Sequence, residues 1–202
     1  MPIAIKAVIF DQGGVLSRGG EKGTNEKAAS RAMGLSFVVE VPDLVEALKR
    51  GQISNDVYVD GINDRYPDAP TKLTDIMWDE VYASLVAEPA SYRLVQKCRD
   101  SGRRVGLLSN INPVMAARLG ADGSYDGFDP IVLSCEAGCA KPDPEIYAAI
   151  EAGLPGIAPC EILLLDDQEK CTRGAMARGW QAYVVTNIAE MVHFVEDLLE
   201  LP

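Results

Sequence analysis

The stretch AIKAVIFDQGGVL, residues 4–16, places an apolar run directly before a carboxylate and two glycines. We predict a strand over residues 3–10 that delivers Asp11 to its carboxyl end. In an open α/β sheet, ligands bind beyond the carboxyl ends of the strands, and a turn made of Gly13 and Gly14 lets backbone N–H groups approach a substrate. An ordinary β-turn whose aspartate hydrogen-bonds its own backbone produces the same pattern. Asp11 is therefore a candidate nucleophile whose assignment depends on the rest of the chain.

Four further apolar runs predict strands, at residues 104–108, 130–133, 161–165 and 181–186. Amphipathic stretches at 90–100, 144–151, 172–178 and 190–199 predict helices, with Gly102, Gly153 and Gly179 as their C-terminal stops. Near-continuous apolar runs such as residues 162–165 suit strands that are buried on both faces. The predicted fold class is α/β, with a doubly wound, Rossmann-like parallel sheet.

Residues 17–88 separate the first two predicted strands and are too many for a loop in a compact domain. Helical periodicity at 26–33, 42–49, 54–66 and 72–85 predicts an inserted helical cap subdomain, although Phe37-Val38-Val39 is ambiguous. Residues 1–16 and 89–202 then form the core. Gly19-Gly20 and Glu88-Pro89 are the predicted hinges. A hinged cap above Asp11 would exclude water from a reacting group.

Polar groups follow two more of the predicted strands. Ser109-Asn110 ends the second strand, and both side chains can hydrogen-bond an anionic oxygen without adding negative charge, or can begin a helix. Asp166-Asp167 ends the fourth strand, where adjacent carboxylates repel unless a cation such as Mg²⁺ compensates. One of that pair as a helix N-cap is the structural alternative.

Lys141 stands before a stiff segment, Pro142-Asp143-Pro144, that predicts the start of a helix. Pro144 suits the first helical turn and Asp143 suits the cap. These structural roles do not account for Lys141, which is either a surface lysine or the cation of the site. The strand ends would bring Lys141, Asp11 and the other polar groups into one crevice. An aspartate nucleophile acting on a phosphate needs a metal, a cation and hydrogen-bond donors of these kinds.

Composition excludes several classes of function. The chain has 30 acidic and 19 basic residues, a net charge of −11, which argues against nucleic-acid and anionic-membrane partners. No apolar run approaches the length of a membrane span and no secretory leader is recognisable, so we expect a cytoplasmic protein. The five scattered cysteines predict reduced thiols. Cys135 and Cys139 lack the partners of a structural zinc site, because the chain has one histidine.

Four motifs in this order resemble those of the haloacid dehalogenase superfamily over nearly the whole chain. The segment 11–16 looks like the first motif, Ser109-Asn110 the second, Lys141-Pro142 the third and Asp166-Asp167 the fourth. The insertion at 17–88 matches the position of the family's small helical cap. This resemblance is specific for the superfamily and says little about the substrate.

The resemblance implies a role for each matched residue. Asp11 would attack phosphorus to form an aspartyl-phosphate, and Mg²⁺ would be held by Asp11, the Gly13 carbonyl and Asp167. Asp166 would act on the metal indirectly. Ser109, Asn110 and the Gly14 backbone would bind phosphoryl oxygens, and Lys141 would neutralise charge and orient the nucleophile. Residues 168–172 and the cap would face the substrate, a small phosphorylated metabolite. The oligomeric state is left between a monomer and a homodimer.

Gly13 departs from the usual phosphatase pattern, which has a second aspartate there as general acid and base. Positioned proton transfer typically contributes about 10² to 10⁴ in rate, so the difference is not small. Similar Asp-x-Gly-Gly motifs occur in a branch that includes glucose-1-phosphatase-like enzymes. The first hypothesis is thus a Mg²⁺-dependent phosphatase. The alternatives are a metal-independent 2-haloacid dehalogenase and a catalytically weak binding or regulatory module.

Overall fold

A computed structural model of the chain describes residues 4–19 and 23–201. The described residues form seven β-strands: β1 (Ala7–Phe10), β2 (Ser17–Arg18), β3 (Val86–Ala87), β4 (Arg104–Ser109), β5 (Ile131–Leu133), β6 (Ile162–Asp166) and β7 (Gln181–Val184). They also form ten α-helices: α1 (Thr24–Ala32), α2 (Pro42–Lys49), α3 (Asn55–Arg65), α4 (Met77–Ser84), α5 (Pro89–Asp100), α6 (Pro113–Ala121), α7 (Ser134–Ala137), α8 (Pro144–Ala152), α9 (Glu169–Ala177) and α10 (Ile188–Leu199).

Five strands form a parallel sheet in the order β5-β4-β1-β6-β7. Along β1 and β6, side chains alternate between two hydrophobic clusters, with Val8 and Phe10 facing one and Ala7 and Ile9 facing the other. Hydrocarbon is therefore buried on both faces, as the continuous apolar runs predict. The predicted α/β class with a doubly wound parallel sheet is confirmed.

The register places the carboxyl ends of the central strands level with one another. Phe10, the last residue of β1, lies opposite Leu107 of β4 and Leu165 of β6. The next residues along these strands therefore emerge at one edge of the sheet. This edge carries Asp11, Ser109 and Asp166, so three of the predicted groups share one crevice.

Strand β1 begins at Ala7, later than predicted, and residue 3 of the predicted strand lies outside the described residues. Two helices were not predicted. Helix α6 begins at the Asn112 cap, whose Oδ1 accepts from Met115 N, and α7 is only four residues long. Gly102 and Gly179 end helices with φ values of +81° and +87°, whereas Gly153 keeps a right-handed backbone. Only Gly102 and Gly179 therefore adopt a left-handed backbone conformation that favours glycine.

The helices α1 to α4 lie within residues 17–88, which we call the cap segment, and share a hydrophobic cluster built around Tyr58 and Trp78. Where the cap segment leaves and rejoins the core, β2 pairs with β3 in an antiparallel ladder. This ladder was not predicted. The ambiguous run 37–39 has no regular structure, with Val39 buried and Phe37 and Val38 exposed. Of the predicted hinge residues, Gly20 lies outside the described residues.

All five cysteines are free, as predicted. Among the residues that the structure describes, no helix combines the length and apolar character needed to cross a bilayer.

Candidate active site

Asp11 lies immediately after β1, with its backbone tied to the neighbouring strand. Its N–H donates to Leu165 O at 2.9 Å. Its Oδ1 accepts hydrogen bonds from Gln12 N at 2.7 Å and from Lys141 Nζ at 2.8 Å. Its Oδ2 accepts no hydrogen bond from any residue that the structure describes. One carboxylate oxygen is thus anchored and the other is left for chemistry.

Lys141 is buried, with its ammonium group inside the crevice. Its Nζ contacts Asp11 Oδ1, Asp166 Oδ2 at 2.6 Å and Leu108 O at 2.8 Å, which uses all of its donor capacity. The Asn110 side chain holds the same residue by its backbone, accepting from Lys141 N at 2.8 Å and donating to Lys141 O at 2.9 Å. The geometry excludes a surface lysine.

Asp166 and Asp167 complete a group of three carboxylates. Asp166 is fully buried, and its Oδ1 accepts from Gln168 N at 2.8 Å while its Oδ2 pairs with Lys141. Asp167 is exposed to the crevice. One carboxylate oxygen from each of Asp11, Asp166 and Asp167 lies within 4.8 Å of the others. Three oxygen donors at this separation fit a hard divalent cation such as Mg²⁺.

The ionisation of this group reflects its burial and its excess of negative charge. Burial raises the pKa of Asp11 to about 7; the Lys141 charge opposes this rise, and the charges of Asp166 and Asp167 add to it. Burial also raises the pKa of Asp167, and Asp166 acts in the same direction. Burial would lower the pKa of Lys141, but Asp11 and Asp166 raise it, so the lysine stays charged. One ammonium cannot balance three carboxylates, and a divalent cation would remove the imbalance.

The two glycines of the first motif have different surroundings. Gly14 has φ +72°, and a Cβ on it would lie 2.7 Å from the Asp167 carboxyl carbon. Its N–H donates to Ser17 O at 2.7 Å, so close approach to Asp167, rather than the predicted phosphate contact, accounts for this glycine. A Cβ on Gly13 would meet nothing within 4 Å. The missing aspartate therefore leaves open space.

A cavity of about 480 Å³ lies between the cap segment and the core. The core side includes Gly13, Ser109, Asn110, Met115 and Gln168, and the cap side includes Thr24, Glu26, Pro42, Val45, Leu48 and Val81. Ser109 is buried at its floor. In the segment 168–172, Gln168 and Lys170 line the cavity, whereas Cys171 and Thr172 are buried. Of the predicted site residues, Gly13, Ser109 and Asn110 line this cavity, whereas Asp11, Lys141, Asp166 and Asp167 are not among its lining residues.

Asp143 and Arg50 lie close to the Lys141 turn, but neither of them was predicted from the sequence as a site residue. Asp143 occupies the N-cap position of α8, as predicted, but its side chain accepts from Ala140 N and from Arg50 instead of capping the helix. Arg50 lies at the end of α2 in the cap segment. An arginine after a helix carries no sequence signal of a distant partner. In the sequence, the only indication of this contact is the acidic residue Asp143, which follows Lys141-Pro142 of the third motif.

A family model for haloacid dehalogenase-like hydrolases matches residues 5–179. The chain belongs to this family. It is a hydrolase of the haloacid dehalogenase type, and the predicted resemblance to this superfamily is confirmed. The match covers β1 to β6, the cap segment and the residues of all four motifs, and it ends before β7.

Proteins of similar sequence or structure are consistent with membership of this family. The chain is 33% identical over 99 residues to "Phosphatase MT3486" of Mycobacterium tuberculosis, a match that spans 48% of this chain and 45% of that protein. The HAD family enzyme bt-2542 of Bacteroides thetaiotaomicron superposes with a TM-score of 0.74 at 25% identity, covering 90% of this chain and 93% of that one. Another structure of bt-2542, at 23% identity, TM-score 0.73 and coverage of 93% and 99%, holds magnesium and inorganic phosphate.

The L-2-haloacid dehalogenase of Xanthobacter autotrophicus shares the fold as well. It superposes with a TM-score of 0.59 at 20% identity, covering 95% of this chain and 87% of that one. At this identity the likeness concerns the fold alone. The choice between phosphatase and dehalogenase chemistry therefore depends on the site.

Proposed function

We propose that this protein is a Mg²⁺-dependent phosphatase that cleaves the phosphate monoester of a small metabolite through an aspartyl-phosphate on Asp11. The observation that carries the proposal is the state of the Asp11 carboxylate. Its Oδ1 is held by Lys141 and the Gln12 backbone, its Oδ2 has no partner among the described residues, and the carboxyl group as a whole lies close to those of Asp166 and Asp167. The names of the M. tuberculosis phosphatase and the contents of the bt-2542 complex support the same chemistry.

In this mechanism Asp11 Oδ2 attacks phosphorus and the ester P–O bond breaks, leaving an acyl phosphate and an alkoxide, which takes its proton from water or from the substrate. Water then attacks the acyl phosphate, which releases inorganic phosphate and restores the carboxylate. The Ser109 hydroxyl and the second N–H of the Asn110 amide donate to the phosphoryl oxygens. Lys141 holds Asp11 in position and offsets the charge that the phosphate brings into the crevice.

Asp11, Asp167 and the Gly13 carbonyl are the groups that would hold Mg²⁺. Asp166 would act indirectly, because its two oxygens already accept from Lys141 and Gln168. When bound, Mg²⁺ supplies positive charge that reduces the repulsion between carboxylate and phosphate. The excess of carboxylates over ammonium at this edge supports such a requirement.

Gly13 provides no side chain to protonate the leaving alcohol. We infer that the best substrates have leaving groups that depart without a strong acid, or carry their own proton donor. The segment 17–88 acts as the cap over this reaction. The net charge of −11 argues against nucleic-acid and anionic-membrane partners, and the cytoplasmic location stays a prediction.

The dehalogenase alternative uses the same aspartate on carbon and needs no metal. It fits the site less well, because Asp167 and Asp166 would repel the carboxylate of a 2-haloacid. The binding or regulatory alternative has Gly13 as its positive support.

A Mg²⁺-dependence screen of purified protein tests the proposal, using acetyl phosphate, p-nitrophenyl phosphate, sugar phosphates, phosphoglycolate and nucleotides. We expect turnover that chelation abolishes and that Asp11→Asn lowers by roughly 10³-fold or more, since removing a nucleophile leaves only binding and charge stabilisation. Chloride release from a 2-chloro acid without Mg²⁺ would establish the dehalogenase instead. No turnover of any ester, in parent and Asp11→Asn alike, would favour the binding module.

A further inference from the structure

The end of α2 contacts the core at the loop that carries Lys141. The Arg50 guanidinium pairs with the Asp143 carboxylate, with both Nη1 and Nη2 facing it. Glu46 Oε1 accepts from Arg50 Nε at 2.6 Å, which fixes the guanidinium from behind. The Arg50 side chain is 24% exposed and that of Asp143 30% exposed, so the pair is partly shielded from water. The pKa of Asp143 is lowered, mainly by its hydrogen bond from Arg50.

Asp143 also closes the turn on which Lys141 stands. Its Oδ2 accepts from Ala140 N at 3.1 Å, and its own N–H donates to Ala140 O at 2.7 Å. The carboxylate thus binds the residue before Lys141 on one side and the cap arginine on the other. Continuous contacts connect Arg50, Asp143 and the lysine turn, and Lys141 Nζ ends this chain at Asp11 Oδ1.

A second contact joins the same part of the cap segment to the loop after β4. Ser134 Oγ donates to Lys49 O at 2.8 Å and accepts from Ile111 N at 2.9 Å. Ile111 directly follows the Asn110 whose amide holds the Lys141 backbone. The end of α2 therefore contacts the turn that carries Lys141 and the loop that carries Asn110. It contacts no reacting atom.

We propose that Arg50 is a positioning residue that couples docking of the cap to the placement of Lys141. This inference rests on the proposed phosphatase function. With the cap docked, Arg50 holds Asp143, and Asp143 holds the turn that aims the Lys141 ammonium at Asp11. With the cap away, Asp143 loses its cation and the turn relaxes. Full alignment of the nucleophile is then reached only when the cap covers the cavity, which limits reaction with an exposed site.

The test compares Arg50→Ala with a matched control, Arg65→Ala. Arg65 is also a cap arginine paired with an aspartate, Asp43, at 2.8 and 2.9 Å, but that pair lies wholly within the cap segment. We expect Arg50→Ala to lower kcat for acetyl phosphate by roughly ten- to a hundredfold, as small misplacements of reacting groups do, and Arg65→Ala to leave it unchanged. Arg50→Lys retains charge without the forked contact and should lie between them.

Hydrogen exchange gives a readout that does not require turnover. The amides of Ala140, Lys141 and Asp143 should exchange faster in Arg50→Ala than in the parent, and at the parent rate in Arg65→Ala. A double-mutant cycle with Asp143→Asn, which retains an acceptor for Ala140 N, should show that the second change adds little to the first.

Equal kcat and equal exchange in Arg50→Ala and Arg65→Ala would overturn the inference, as would additive effects in the cycle. The two proposals fail in distinguishable ways. A parent protein without Mg²⁺-dependent turnover contradicts the phosphatase function, whereas an active parent that is indifferent to Arg50→Ala contradicts only the coupling.

Discussion

Lys141 shows how a single residue can decide the charge balance of a site. Its ammonium is enclosed by two carboxylates and the Leu108 carbonyl, so each proton has an acceptor. Removing it would leave the buried carboxylates of Asp11 and Asp166 without a compensating positive charge, which is costly in a low-dielectric setting. Its presence in a third motif was predictable, but its burial was not, because lysines before prolines are usually at the surface.

Gly13 is the position at which we expect a substitution to increase the catalytic activity. Because nothing lies within 4 Å of a Cβ built there, Gly13→Asp should fit without displacing a neighbour. We expect the added carboxylic acid to raise kcat/KM by about tenfold or more for esters with poor alcohol leaving groups, since general acid catalysis contributes up to about 10⁴. Steady-state rates on a sugar phosphate and on acetyl phosphate measure this.

Acetyl phosphate serves as the internal control for Gly13→Asp, because its leaving group needs little protonation. The gain should therefore be confined to the poor leaving groups. An equal change on both substrates, or a loss on both, would show that the absent acid does not limit this enzyme.

At the scale of elements, the level carboxyl ends of β1, β4 and β6 create the site. The strands were predictable to within a few residues because burial on both faces leaves continuous apolar runs in the sequence. The β2–β3 ladder was not predictable, because two-residue strands are too short to show alternation. Helix α6, which begins at the Asn112 cap, and the four-residue helix α7 were not predicted, although Ser109-Asn110 does mark the end of β4 as predicted.

Gly14 of the first motif lies against the Asp167 side chain of the fourth motif. This contact leads to a prediction about metal binding. A Cβ on Gly14 would collide with the Asp167 side chain, so Gly14→Ala should displace a proposed metal ligand. Saturating Mg²⁺ should raise the thermal midpoint of the parent, with about 2.7 kcal/mol of stabilisation at a hundredfold excess over Kd. We expect Gly14→Ala to lose most of that rise, measured by thermal unfolding with and without Mg²⁺.

Gly102→Ala is the matched control for this experiment. It has a comparable φ of +81° and nothing within 4 Å of its Cβ, so it carries the cost of backbone strain, about 1–2 kcal/mol, without the collision. Both variants should be destabilised, but Gly102→Ala should keep the full response to Mg²⁺. The same response in Gly14→Ala would contradict the assignment of Asp167 as a ligand.

At the scale of the whole molecule, the cap segment brings its own hydrophobic cluster to the core and encloses the cavity. Its backbone packs tightly against the core at Gly51, where a Cβ would lie 2.0 Å from Cys135 O. Only a glycine permits the end of α2 to rest on α7 in this way. We therefore expect docking of the cap segment to depend on this position.

Gly51→Ala should separate the cap from the core and lower kcat/KM for phosphate esters by roughly tenfold or more, because the reacting groups lose their enclosed geometry. Gly34→Ala is the control, since it has a similar φ of +71° but its Cβ would meet only Pro70 at 3.4 Å within the cap segment. Steady-state kinetics and hydrogen exchange of residues 134–137 measure the difference. Equal rates in the two variants would show that docking at Gly51 does not matter.

The sequence alone determined the strand and helix patterns of the core, the helical nature of the cap segment and the four polar groups at or near strand ends. These features are local, because they follow from burial and backbone chemistry within a few residues. Only the tertiary structure decided that Lys141 bridges Asp11 and Asp166, that Asn110 holds the lysine backbone, and that Arg50 reaches Asp143. These contacts depend on strand register and on how the cap segment packs, and a local pattern encodes neither.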